Sequence, residues 1–121
     1  MFTIIEIRGK EYKLKLRTVD VVRLEKKLGH SLMDMFMGMQ NDKIPQLGEL
    51  LAVIHAAMGA YNHGITENAF YDLYDAYVDE GHNMFDLIPI VLELMQNSGI
   101  IPKDEVIDAE FKEVKPEEPV E

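Results

Sequence analysis

The apolar residues of this chain change their spacing once. From Phe2 to Leu16 they alternate with other residues, apart from the adjacent Ile4 and Ile5, and from Thr18 onward stripes recur at every third or fourth position. A period of two is that of a strand with one covered face, and a period near 3.6 that of an amphipathic helix, so a short N-terminal sheet must precede an otherwise helical domain. The fold class expected is mainly α (α+β): a two-stranded hairpin, a compact bundle of about five helices, and an acidic disordered C-terminal tail.

The strings FTIIEIR (2–8) and EYKLKLR (11–17) are the strands, and Gly9-Lys10 is the expected two-residue turn, with Gly supplying the positive φ. Tyr12, Leu14 and Leu16 fall on one face and Lys13, Lys15 and Arg17 on the other, so the first set covers a core and the second meets water.

Thr18 is the expected cap of a helix over Val19–Leu28 with Val21, Leu24 and Leu28 as its stripe, closed by Gly29. Ser31, with Asp34 three residues on, starts a short helix over Leu32–Met39. After the loop Gln40–Pro45, Leu47, Leu50, Leu51, Ile54, Ala57, Met58 and Tyr61 mark the best core helix of the chain, and Val53, Ala56 and Ala60 give it a second, small-residue face. Thr66 caps residues 67–80, with Phe70, Leu73, Tyr74 and Tyr77 inward and Gly81 at the end. A last helix begins at Asn83 or Asp86 and stops before Gly99, with Pro89 tolerated in its first turn.

One domain over 1–101, with its hairpin at 2–17, and a tail over 102–121 are expected. The tail holds eight acids against three lysines, half of the net charge of −10, and its Val106, Ile107, Phe111 and Val114 are too scattered for a core. The charge balance opposes nucleic acid and anionic membrane surfaces as partners. No stretch approaches the length of a membrane span, and Glu6 interrupts the start where a signal peptide would stay apolar, so a cytoplasmic location is expected. The absence of cysteine excludes disulfides, thiolate metal sites and cysteine nucleophiles.

Catalytic and metal-binding residues are expected to be absent, and so are cofactors. Ser31 and Ser98 sit at helix ends, where capping explains them. His55 and His63 are too far apart around a helix to share a metal, and His30 and His82 follow helix-ending glycines in loops. Asp72, Asp75 and Asp79 line an outer helical face, with Glu80 beside them, but have no glycine-bearing loop of the kind a calcium site needs.

The segment LMDMFMGM is different. Met33, Met35, Phe36, Met37 and Met39, with Leu32, put apolar side chains all round one short helix, more than it can bury within its own domain. Two readings stay open. Either Met33, Phe36 and Met37 plug the core while Met35 and Met39 lean on the flanks, or the five residues border an adaptable surface for a partner or a neighbouring copy of the chain.

Residues 2–100 also resemble the tail assembly chaperones of long-tailed bacteriophages and prophages, particularly those of Gram-positive hosts. The residues that carry the resemblance are GKEYKLKLR, the string TVDVVRLEKKLGHSLMDMF, the helix after Pro45, the helix ending at Gly81, and ELMQNSGI before the charged tail. The resemblance implies a non-enzymatic factor that binds the tape measure protein, helps recruit tail tube protein, acts in the bacterial cytoplasm and is absent from the mature virion. It also implies a longer partner product made by ribosomal frameshifting in many such systems. The rival expectations are a small structural tail or connector protein and, less favoured, a helix-turn-helix regulator, whose second helix would here carry Met, Leu and Phe where base-reading side chains belong.

Overall fold

In the computed structural model, which describes residues 1–103, two residues in the left-handed region turn the chain back on itself: Arg8 at φ 56° and Gly9 at φ 75°. Positive φ at both central positions is the geometry of a type I′ turn, whose twist matches that of the strands it joins. It links β1 (Thr3–Ile7) to an antiparallel β2 (Lys10–Leu14), with Ile7 opposite Lys10, Ile5 opposite Tyr12 and Thr3 opposite Leu14. The expected turn at Gly9-Lys10 is therefore corrected by one residue. Either turn sets inward residues opposite inward residues, so alternation alone could not choose. In the fold the Arg8 backbone N–H donates to a Glu80 carboxylate oxygen at 2.6 Å, which anchors the observed turn.

The two faces of the hairpin fall as the alternation requires. Ile5, Ile7, Tyr12, Leu14 and, just past β2, Leu16 are buried, while Lys13, Lys15 and Arg17 are exposed.

Five α-helices follow: α1 (Thr18–Leu28), α2 (Leu32–Gln40), α3 (Leu47–Met58), α4 (Glu67–Asp79) and α5 (Leu87–Asn97). Thr18 is the first residue of α1 instead of its cap. Arg17 holds the cap position, and its backbone N–H donates to the Asp20 carboxylate at 2.9 Å, so the capping acceptor reaches back from the first turn. Gly29, at φ 82°, closes α1 in the left-handed conformation. Thr66 caps α4 by accepting the Ala69 N–H at 3.1 Å. Both starts proposed for the last helix are used: Asn83 caps a 3₁₀ turn, Met84–Asp86, which runs directly into α5.

α3 is the centre of the fold and packs against α1, α4, α5 and β2. Leu50, Val53, Ile54 and Ala57 are wholly removed from water, so its two apolar faces are both used. The Lys15 N–H donates to the Ala57 carbonyl at 2.9 Å, tying the hairpin to the end of this helix. Leu87, Ile88, Val91, Leu92, Leu94 and Met95 of α5 complete the core from the other side. Ile101, beyond α5, is buried as well. The tail expected over 102–121 lies outside the described residues from 104 on.

Candidate functional site

The methionine-rich helix α2 is held at its start by three elements. The Ser31 hydroxyl accepts the Asp34 N–H at 2.9 Å, as the sequence pattern requires of a cap. A Glu25 carboxylate oxygen from α1 accepts the Leu32 N–H, also at 2.9 Å. From the other side, His30 Nε2 lies 2.7 Å from Glu49 Oε2 at the start of α3, and His30 Nδ1 lies 3.1 Å from the Ser31 carbonyl. A carboxylate and a carbonyl can only accept, so both bonds together require the imidazolium form of His30. The hydrogen bond to Glu49, with the Ser31 carbonyl second, accordingly raises the His30 pKa above its ordinary value.

That anchoring fixes which side of α2 faces inward. Leu32 is fully buried at the first helical position, and the helical period carries Met35, Phe36 and Met39 to the same side, where they are 6%, 8% and 9% exposed. Met33 and Met37, one turn apart, stand outward at 41% and 50% exposure. Both open readings of the segment are thereby corrected. Met35, Phe36 and Met39 are core side chains, whereas Met33 and Met37 do not plug the core. The candidate surface narrows to Met33 and Met37.

Exposed apolar side chains continue along the sequence toward α3, at Ile44 and Leu47. Beside α2 opens a shallow cleft of about 380 Å³, with His30, Asp34, Met35, Gly38, Lys43 and Glu49 in its walls. Lys43 lays its aliphatic stem over Gly38, with Cδ 3.6 Å from where a β-carbon on Gly38 would stand. The cleft mixes charges of both signs with a single methionine edge.

His55, His82 and Ser98 have structural partners. His55 Nε2 donates to the Ile65 carbonyl at 2.7 Å and its ring stacks on Phe70. His82 stacks on Tyr77 with ring centroids 4.0 Å apart. Burial first, and the nearby Asp86 carboxylate second, push the Tyr77 phenol up to about 12. Ser98 donates to the Met95 carbonyl at the end of α5. Asp72, Asp75 and Asp79 are exposed on α4. Among the described residues no three His, Cys, Asp or Glu side chains gather as a metal-ligand group, and no helix is long and apolar enough to cross a membrane.

The His30–Glu49 pair escaped the sequence reading, which left His30 as a loop residue. A histidine directly after a helix-closing glycine, with a glutamate in the first turn of a later helix, was the available signal, but nothing in the spacing says that the two ends meet.

No curated protein and no solved structure gives a significant match to the chain. A family described as "Family of unknown function (DUF6096)" matches residues 3–117. The match runs from the first residue of β1 through every helix and into the acidic C-terminal segment, and the chain therefore belongs to the DUF6096 family.

Proposed function

We propose that this protein is a non-enzymatic tail assembly chaperone of a long-tailed bacteriophage or prophage. In this reading it holds apolar helices of the tape measure protein and assists tail tube assembly. The observation that carries the reading is the outward pair Met33 and Met37 on α2, a helix whose other side buries Met35, Phe36 and Met39. Thioether side chains are unbranched and polarizable, so a surface built from them fits many apolar helices without a fixed complement. A helix laid against α2 would be read through residues spaced by one turn, as Met33 and Met37 are. The net charge of −10 would keep such a complex dispersed. The resemblance of residues 2–100 to such chaperones supports the same assignment.

Co-expression provides the test. The tape measure protein encoded nearest to this gene is expected to be soluble when made together with this chain and to precipitate when made alone. Mass spectrometry of purified particles is expected to find the tape measure protein without this chain. A stoichiometric amount of the chain in finished particles would indicate a connector or other structural tail protein instead.

A further inference from the structure

Charge is unevenly divided along the chain. Residues 8–27 hold eight cations against three acids, a net of +5, whereas residues 28–103 hold two cations against ten acids, a net of −8. In the fold, part of each excess gathers beside exposed apolar side chains.

The cationic side is the outer face of the hairpin. Lys13 and Lys15 stand exposed on it, and Phe2 and Ile4 are 40% and 39% exposed where a solvated hairpin carries polar residues. Tyr61, from the loop after α3, meets Phe2 edge to face with ring centroids 6.1 Å apart, and Lys13 Nζ lies 4.9 Å from the Phe2 centroid. The Asn62 side chain donates to the Lys13 carbonyl at 3.1 Å, which holds this loop against β2. Nearer the turn the same face sets Glu6 opposite Glu11, so its positive end is the open end.

The acidic side is α4. Asp72, Asp75 and Asp79 recur at three and four residues and so share one side of the helix, flanked by Tyr71 and Val78, and all five are exposed. Among the described residues neither these aspartates nor Lys13 and Lys15 have an ion-pair partner. The spacings agree. Two strand positions set Lys13 and Lys15 roughly 6.6 Å apart. Four helical positions set Asp75 and Asp79 about 6 Å apart.

We infer that α4 of one copy docks on the outer face of the hairpin of a second copy. Asp75 and Asp79 then lie beside Lys13 and Lys15, and Tyr71 and Val78 against Phe2, Ile4 and Tyr61. The two surfaces differ, so the contact is heterologous: each copy gives α4 to one neighbour and its hairpin to the next. The contact uses neither Met33 nor Met37 and stands apart from the proposed tape measure binding.

Each copy is net acidic, so salt screens the local attraction and the overall repulsion together, and charge reversal is the sharper probe. Sedimentation velocity of the full chain over a concentration series should show mass rising above that of a monomer. Lys13→Glu, Lys15→Glu and, separately, Asp75→Lys, Asp79→Lys should each weaken association by about tenfold or more, since like charges then face each other. Mixing these two variants in equal amounts should restore association, because each reversed face meets its reversed complement. Arg23→Glu, Lys26→Glu, on the exposed side of α1, changes the net charge as the hairpin variant does and should associate as the parent does. All of the substituted positions are exposed, so the fold is retained, as an unchanged circular dichroism spectrum should show. A parent chain that stays monomeric, association that survives either reversal, a mixture that stays monomeric, or equal weakening by the α1 variant overturns the inference.

Discussion

His30 Nε2 lies 2.7 Å from Glu49 Oε2 and fastens the turn between α1 and α2 to the first turn of α3. Because the folded-state pKa of His30 is raised above 6.5, its contribution to stability is complete below that value and is lost as the pH rises through the raised one. Urea unfolding should therefore show stability falling as the pH rises past 6.5, by an amount within about 1 kcal/mol, as suits a partly exposed pair. His30→Gln should flatten that dependence. An unchanged pH profile in the variant would assign the dependence to other groups.

Arg8 occupies a left-handed position, φ 56°, that an arginine adopts at some cost. Arg8→Asn keeps the backbone N–H that meets Glu80 and places a residue suited to a type I′ turn, so thermal unfolding should show a gain of about 0.5–1 kcal/mol. Gly9→Ala, at φ 75°, should lose about 1 kcal/mol or more.

Tyr77 is buried on α4 with the His82 ring stacked on it, and that burial raises its phenol. In a spectrophotometric titration of the five tyrosines, one phenol should ionise only at about 12, and Tyr77→Phe should remove that last step. Complete titration at the ordinary tyrosine value in the folded protein would contradict the packing around α4.

The two sides of α2 should separate stability from binding. Met35→Ala and Met39→Ala remove buried side chains and should each cost about 2–5 kcal/mol in chemical denaturation. Met33→Lys and Met37→Lys alter exposed positions and should stay within about 0.5 kcal/mol of the parent.

Much of this architecture was legible because local chemistry and global packing agree. The alternation of Tyr12, Leu14 and Leu16 with lysines named the covered face of the hairpin, and Gly29, Ser31 and Thr66 each mark a helix end where the structure has one. The misplaced turn has a definite cause: a turn at Arg8-Gly9 or at Gly9-Lys10 equally sets inward residues opposite inward residues, and the distant Glu80 carboxylate that receives the Arg8 N–H is invisible to local alternation. Thr18 looked like a cap because Asp20 does its capping from inside the helix. The inward side of α2 was hidden for a different reason. With Leu32, Met33, Met35, Phe36, Met37 and Met39 all apolar, no polar stripe marks the water side, and the phase is set by tertiary anchors at Glu25 and Glu49.

The claim on which the functional reading rests is that Met33 and Met37 form the contact with the tape measure protein. Co-purification of the tape measure protein on a tagged Met33→Lys, Met37→Lys double variant, compared with the parent chain at matched expression and with an unchanged circular dichroism spectrum, measures this directly. The account predicts that the parent retains the tape measure protein and the double variant loses at least nine-tenths of it, on the order of 1.4 kcal/mol or more in binding free energy. Equal recovery on a correctly folded double variant would contradict it.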